Sequence, residues 1–314
     1  MVDLEELGDD SQISQQPQRL CGEFQGYRGD APYSDVLLPW IPRLQRVLAA
    51  LQPYRALNTQ GHPYPVTSEA LCCWYALSRF NELVLKGFES SPDFYQGIPQ
   101  RETWRGSVVA LDEYVVFFEA LGFAAFLTEG GLAPEPFQPF FHEIVEVVED
   151  PLWSGEPVTE HAYWPGLMFG QMLFSRAGVR VRCRPGDLNK TVAETSRLHF
   201  TYWRLRRVTE DLSHGWGHNS QWSTHFRRDY DTGDAFHFNV DGRHPLGDEG
   251  AYRASFTPGD WKREERYPDG LTMQERIELL IHRSFVRSVK SDGEGLPYDH
   301  RYSPLKPEKA NRAG

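Results

Sequence analysis

The sequence predicts an α+β fold, and three observations support that prediction. In the first third of the chain, apolar residues recur at intervals of three and four, which is the period of an α-helix. Between residues 179 and 240, apolar and polar residues alternate in several segments, as they do in half-buried strands. Near the C-terminus, Thr272 is followed three residues later by Glu275, a helix-start signature. We therefore expect a helical N-terminal third, an antiparallel sheet in the middle to C-terminal part and one C-terminal helix.

A single globular domain is expected to span residues 33–290. Residues 1–32 are polar, rich in Gln and interrupted by Gly and Pro, so we expect a mobile lead-in there. Residues 291–314 end in SPLKPEKANRAG and are expected to form a loose tail. A chain of 314 residues that is 40% hydrophobic is long enough to bury a core between these ends.

Two helices are predicted in the N-terminal third. In residues 34–52 the prolines are tolerable only in a first turn, so this helix should begin near Pro39 or Trp40. Residues 68–86 carry an apolar stripe that stops at Gly87. The apolar residues 107–127 fit either a buried helix or a pair of strands around Leu121 and Gly122, and their periodicity does not separate the two.

Two further apolar segments lie in the middle of the chain. Residues 140–149 are rich in β-branched residues, which favours a strand, but their paired apolar positions favour a helix. His142 and Glu146 would be about 6 Å apart on a helix and could share a metal, whereas a strand would separate them by about 13 Å. Residues 166–178, GLMFGQMLFSRAG, are predicted to form a short buried helix that ends at Gly178.

Three segments alternate strictly and are predicted to be strands. The first, residues 179–184, should bury Val179, Val181 and Cys183 and turn three arginines, Arg180, Arg182 and Arg184, to the other face. The second, residues 197–207, is close enough in sequence to pair beside it. The third, residues 235–240, runs into Asp241-Gly242, a strong turn dipeptide.

The charge of the chain is unevenly distributed. The net charge of −11 argues against a nucleic-acid partner, because a phosphate backbone would be repelled. Residues 176–228 nevertheless contain ten Arg and one Lys against four acidic residues, a local charge of +7. Arginine presents a planar fork of donors that suits a carboxylate or phosphate ligand. The same arginines could instead pair with the protein's own Asp and Glu, and both interpretations stay open.

The segment 212–242, LSHGWGHNSQWSTHFRRDYDTGDAFHFNVDG, is the predicted functional site. Six of the eleven histidines lie between His199 and His244, and imidazole can act as a general base near neutral pH. Their spacing matches no metal motif, so metal and cofactor are left open. The predicted catalytic residues are His214, His218 and His225, and the predicted ligand-binding residues are Arg180, Arg182, Arg204, Asn219, Gln221, Trp222 and Arg227.

Two functional hypotheses follow from these features. The four cysteines form no CxxC pair, and the acidic N-terminus lacks the pattern of a signal peptide, so we expect a cytoplasmic protein that does not insert into membranes. The first hypothesis is an anion-binding protein that takes a phosphorylated or carboxylated small molecule or nucleotide, with the question of catalysis open. The alternative is an intracellular interaction protein, such as a toxin-immunity or defence component, whose acidic surface binds a basic protein partner.

Overall fold

The structure of the chain is a computed structural model that describes residues 15–88, 107–127, 131–195, 225–248, 250, 272–282, 300–304 and 306. The α+β prediction is confirmed, with helices in the N-terminal part, an antiparallel sheet and a helix near the C-terminus. None of the described helices combines the length and the apolarity needed to cross a membrane. The helices are α1 (Gln15–Gly26), α2 (Leu38–Ala50), α3 (Ser68–Leu85), α4 (Leu111–Ala120), α5 (Lys190–Thr195) and α6 (Met273–His282).

The described strands form two sheets and one short pair. In chain order they are β1 (Ala124–Phe126), β2 (Gly131–Pro136), β3 (His142–Glu149), β4 (Val158–Trp164), β5 (Gly166–Phe169), β6 (Met172–Ser175), β7 (Ala177–Cys183), β8 (Asp229–Asp231), β9 (Phe236–His237), β10 (His244–Pro245) and β11 (His300–Arg301). Sheet A has the order β1-β5-β6-β8-β9 and is antiparallel throughout. Sheet B has the order β2-β4-β7-β3, and its β3 and β7 are parallel. The pair β10-β11 is also parallel.

Sheet A is covered on both faces. On one face, Trp74 of α3 lies with its ring 5.0 Å from that of Phe169 and 5.9 Å from that of Phe174. Leu173 alternates with Phe174 along β6 and packs instead with Phe238 and with α6. The N-terminal helices and α6 therefore bury opposite sides of the same strands.

The helix predictions in the N-terminal third are confirmed. A π-helical turn, Tyr33–Leu37, leads into α2, and α3 covers the second predicted segment and continues into a 3₁₀ turn, Lys86–Phe88. Residues 107–127 contain a helix and a strand rather than either alternative alone. Here α4 ends at a turn where Gly122 has a φ of +87°, a backbone conformation that glycine adopts without strain, and β1 follows.

Helix α1 corrects the expectation of a mobile lead-in for residues 15–32. It carries an apolar stripe with buried Leu20, Cys21 and Phe24, and the Phe24 ring lies 5.5 Å from that of Phe80 on α3. Pro17 and Gly22 are poor helix formers, so the sequence pattern was weak. Packing against α3 stabilises the helix, as it does for most short helices in proteins. Residues 1–14 lie outside the described residues.

The helix predicted over residues 166–178 is wrong, because this segment forms the hairpin of β5 and β6 and the start of β7. Gly170 begins its two-residue loop with a φ of +64°, and a Cβ at this position would lie 2.5 Å from the carbonyl oxygen of Arg55. Both faces of the hairpin are covered, so its strands are apolar at almost every position instead of alternating. A continuous apolar run of this kind is equally typical of a buried helix, so periodicity does not separate the two structures.

Residues 142–149 form the strand β3 and not a helix. This overturns the hypothesis that His142 and Glu146 share a metal ion. A bulge between Ile144 and Glu146 breaks the alternation of β3. As a result His142 is buried, whereas Glu146 faces Arg180 on the half-exposed side of the sheet. The two side chains cannot share an ion from opposite faces.

The strand predicted over residues 179–184 is confirmed as the C-terminal part of β7, with Val179, Val181 and Cys183 buried. Its predicted neighbour, residues 197–207, lies outside the described residues. Among the described strands, β4 pairs with one side of β7 and β3 with the other. The predicted turn at Asp241-Gly242 is confirmed by a hydrogen bond of 2.8 Å from the Gly242 N–H to the Asn239 carbonyl.

The expectation of a loose tail over residues 291–314 is wrong for its described part. β11 pairs with β10, and Tyr302 exchanges two backbone hydrogen bonds with Phe238, at 2.7 and 3.1 Å. Nothing in the local pattern of HRYSP indicates a strand, because its partners lie about sixty residues earlier in the chain. These hydrogen bonds place residues 300–304 beside sheet A.

Helix α6 begins at the predicted capping box. The Thr272 hydroxyl accepts a hydrogen bond from the Glu275 N–H at 3.2 Å, and the Glu275 carboxylate accepts one from the Thr272 N–H at 2.8 Å. We expect Thr272→Ala to lower the free energy of unfolding by about 1 kcal/mol, measured by urea denaturation, because a helix N–H loses its acceptor. Thr272→Ser keeps that acceptor and should unfold like the wild type; an equal loss in both variants would contradict the capping role.

Candidate functional site

The structure describes only part of the site predicted from the sequence. His214, His218, Arg204, Asn219, Gln221 and Trp222 lie outside the described residues, so the predicted convergence of the three catalytic histidines stays a prediction. His225 is exposed, and its Nε2 lies 2.6 Å from the hydroxyl of Ser68, the first residue of α3. This contact joins the predicted functional segment, residues 212–242, to the N-terminal helices.

The arginines that β7 presents to one face are paired with carboxylates. Arg180 lies 2.8 Å from Glu146, and Arg182 forms ion pairs with Asp150 and Glu160. The donors of Arg180 and Arg182 are thus directed at the protein's own acids, which favours structural pairing over an anion site for these two residues. Arg184 forms a similar pair with Asp187 beyond the strand.

The adjacent Arg227 and Arg228 are both buried and both paired. Arg227 donates two hydrogen bonds to Asp229, at 2.8 and 2.9 Å, and Arg228 donates two to Asp241, at 2.9 and 2.6 Å. Arg227, which the sequence predicted to bind a ligand, thus has its guanidinium directed at Asp229. Internal ion pairs therefore account for every arginine in the described part of the basic block, residues 176–228. These arginines are Arg176, Arg180, Arg182, Arg184, Arg227 and Arg228.

A cleft of about 650 Å³ opens where β9, β10, β11 and the start of α6 meet the loop at His62. Its volume lies within the range of small-molecule sites. Polar side chains at the cleft come from His62, His237, Arg301 and Ser303, whereas its remaining side chains are largely apolar. The apolar lining consists of Pro63, Phe238, Val240, Pro245, Leu246, Met273, Ile277 and the ring of Tyr302.

A buried network centred on Asp229 holds the walls of this cleft. Asp229 accepts hydrogen bonds from Arg227, from Arg176 at 3.2 Å and from the Asn239 N–H at 2.8 Å. Arg176 also donates to the carbonyl of Ile281 on α6, at 3.2 Å. Burial lowers the pKa of Arg176, and the charge of Asp229 opposes that shift. One carboxylate thereby links α6 to the strand residues beside the cleft.

Asn239 connects Asp229 to β11, which forms another wall of the cleft. Its φ of 50° is in the left-handed region, which Asn tolerates better than most residues, and it lies between the cleft residues Phe238 and Val240. Its side-chain amide donates to the carbonyl of His300 at 2.6 Å. Gly242 allows the same close approach, since a Cβ there would lie 2.5 Å from the His300 backbone. Arg301 is therefore presented to the cleft from a fixed strand.

His237 and Ser303 form a hydroxyl–imidazole contact at the cleft. The Ser303 Oγ lies 3.2 Å from Nδ1 of His237, and the Thr232 Oγ1 lies 3.5 Å from its Nε2. Partial burial lowers the pKa of His237 below its usual 6.5, and the charge of Asp234 opposes that shift. The imidazole is accordingly neutral at pH 7, with one nitrogen free to accept a proton.

Metal ligation finds no support in the described ranges, in which no three His, Cys, Asp or Glu side chains group as ligands. The sequence-based prediction also missed three polar residues of the cleft: His62, Arg301 and Ser303. Their sequence neighbourhoods carry no motif, and only the chain's path brings them together. His237 belonged to the predicted functional segment, and its place in an alternating strand was the one available signal.

Comparisons of the chain with profiles of protein families, with curated proteins and with solved structures return no match.

Proposed function

We propose that the protein binds a small carboxylate with an apolar body in the cleft beside Arg301. The observation that carries the proposal is the arrangement of the lining, in which one arginine and two histidines border a largely apolar surface. A ligand with a hydrocarbon part and one negative charge matches both features. This narrows the anion-binding hypothesis from the sequence and moves it to residues that the sequence did not single out.

Several considerations favour a carboxylate over a phosphate. The apolar residues Phe238, Leu246 and Ile277 suit a hydrocarbon body, and burial of that body contributes about 25 cal/mol per Å². A carboxylate carries one charge and two acceptor oxygens, which a single guanidinium fork can satisfy. A phosphate dianion carries a second negative charge, and Arg301 is the one arginine among the described cleft residues that could neutralise it.

The experiment compares three ligands that separate charge from apolar surface. Octanoate has both, 1-octanol has the apolar chain alone, and acetate has the charge alone. Calorimetry and thermal melting of the full chain should show binding of octanoate and much weaker binding of the other two, because a ligand that binds only the folded state raises its stability.

Replacement of Arg301 by Ala should weaken octanoate binding about 10- to 100-fold. That factor corresponds to the ~1.5–3 kcal/mol of a hydrogen bond to a charged group. Arg301→Lys should restore part of the affinity, because Lys keeps the charge and loses the planar fork. Arg184→Ala is the matched control, since it removes an exposed, ion-paired arginine that follows β7 and lies outside the cleft. Unchanged affinity in Arg301→Ala would contradict the role of this residue.

Equal stabilisation by octanoate and octanol would show that charge is not recognised. Failure of all three ligands to bind would count against the cleft as a carboxylate site. The hypothesis of an interaction protein with a basic partner would then be the one to pursue, by binding measurements at low and high salt.

A further inference from the structure

The polar contacts around His237 favour one of its two neutral tautomers. The Thr232 hydroxyl donates to the carbonyl of Ala235 at 3.1 Å, so its single proton is engaged there. Thr232 Oγ1 lies 3.5 Å from Nε2 of His237, and a proton on Nε2 is the arrangement that makes this contact attractive. Nδ1 is left with its lone pair, which points to the Ser303 hydroxyl at 3.2 Å. A serine hydroxyl that donates to a neutral imidazole is the arrangement of a nucleophile with its general base.

We propose that Ser303 and His237 hydrolyse carboxylic esters whose apolar acyl group occupies the cleft. This inference rests on the proposed function, since the carboxylate that the cleft would bind is the product of that hydrolysis. Ser303 is exposed, so an ester carbonyl can reach its Oγ, and both residues of the pair line the cleft. The apolar lining holds the acyl chain and thereby positions the carbonyl at the rim.

The chemistry needs only water as co-reactant. The Ser303 Oγ forms a bond to the ester carbonyl carbon, and its proton passes to Nδ1 of His237. The tetrahedral intermediate collapses with cleavage of the bond to the alcohol oxygen, which takes the proton from His237. Water then attacks the acyl-serine and gives a proton to His237; cleavage of the serine ester releases the carboxylic acid and returns that proton to Ser303.

Arg301 is placed to stabilise the negative charge of this intermediate. Residues 301 and 303 flank Tyr302, whose backbone hydrogen bonds with Phe238 keep the segment extended. Side chains two residues apart on an extended segment lie on one face, about 7 Å apart. Both side chains line the cleft, so a cationic group borders the position where the carbonyl oxygen becomes an oxyanion.

Two measurements on the full chain test the proposal. A fluorophosphonate probe, which reacts with activated serines, should label the wild type, and peptide mapping should locate the label on Ser303. Hydrolysis of p-nitrophenyl hexanoate should fall at least about 100-fold in His237→Asn, the range for loss of general-base catalysis, and at least as far in Ser303→Ala, which removes the nucleophile. Ser34→Ala and His161→Asn are matched controls at positions outside the cleft and should hydrolyse at the wild-type rate.

The outcomes separate this inference from the carboxylate-binding proposal. Octanoate binding that persists in Ser303→Ala while hydrolysis is lost supports both. Octanoate binding without labelling of Ser303, or hydrolysis by Ser303→Ala at the wild-type rate, overturns the esterase inference and leaves the binding proposal standing. Hydrolysis that depends on Ser303 in a protein that does not bind octanoate overturns the carboxylate-binding proposal and leaves the esterase inference standing. Labelling of the wild type does not depend on how well any variant folds, and absence of the label on Ser303 overturns the inference.

Discussion

Asp229→Ala is expected to lower the free energy of unfolding by about 3–5 kcal/mol, the cost of removing one partner from a buried ion pair. Asp229 is 1% exposed, and it pairs with Arg227, which is 7% exposed, and with Arg176, which is 11% exposed. In Asp229→Ala, the buried guanidinium groups of Arg176 and Arg227 both lose the negative charge of Asp229. Urea denaturation at pH 7 measures the loss.

Two variants distinguish burial from charge pairing as such. Asp187→Ala removes the carboxylate that pairs with Arg184, whose side chain is 54% exposed. It should lower the free energy of unfolding by less than about 1 kcal/mol. Asp229→Asn keeps an acceptor for the Asn239 N–H and loses the charge, so its stability should lie between those of the wild type and Asp229→Ala. Equal losses in Asp187→Ala and Asp229→Ala would show that the buried network is no more important than a surface pair.

The same substitution should weaken ligand binding at the cleft. Hydrogen bonds connect Asp229 to α6 through Arg176. They also connect it through Asn239 to His300 of β11, the strand that carries Arg301. Asp229→Ala should therefore weaken octanoate binding although the carboxylate does not line the cleft. Asp187→Ala should leave that affinity unchanged.

Stability should fall on acidification because of His142. Burial lowers the pKa of this histidine to about 4, against the usual 6.5 of an unfolded chain. Its Nδ1 accepts a hydrogen bond of 3.0 Å from the Gln138 N–H, which requires a nitrogen without a proton. Between pH 4 and 6.5 the unfolded chain therefore binds more protons than the folded one, and stability rises with pH.

The contribution of His142 is fully present above pH 6.5 and is lost as the pH falls to about 4. The difference between these two pKa values corresponds to about 3 kcal/mol. Unfolding free energies of the wild type and His142→Gln, measured by urea denaturation at several pH values, should therefore converge or cross as the pH falls. His161→Gln, a second histidine on sheet B, serves as the control. Parallel pH profiles for wild type and His142→Gln would refute the assignment.

Local patterns determined those elements whose signal lies within one segment. The stripes of α2 and α3, the alternation of β7, the Thr272–Glu275 start of α6 and the turn at Asp241-Gly242 each depend on residues close together in sequence. Composition likewise located the concentration of Arg and His. These features follow from helix and strand periods and from capping and turn chemistry, which act over a few residues.

The partners of the charged residues were decided by the tertiary structure. The sequence left two interpretations for the basic block, and only the positions of Glu146, Asp150 and Asp229 favour internal pairing for its described part. Helix α1 and the β5-β6 hairpin were also missed, because packing on neighbouring elements outweighed weak or ambiguous local patterns.

The candidate site lay beyond sequence reasoning for the same reason. His62, His237, Arg301 and Ser303 come from three distant parts of the chain and meet only where the end of sheet A, α6 and β11 pack together. Such contacts have no period and no fixed spacing, since the fold closes the intervening loops. The sequence determined which chemical groups the protein has, and the tertiary structure decided which of them share a cleft.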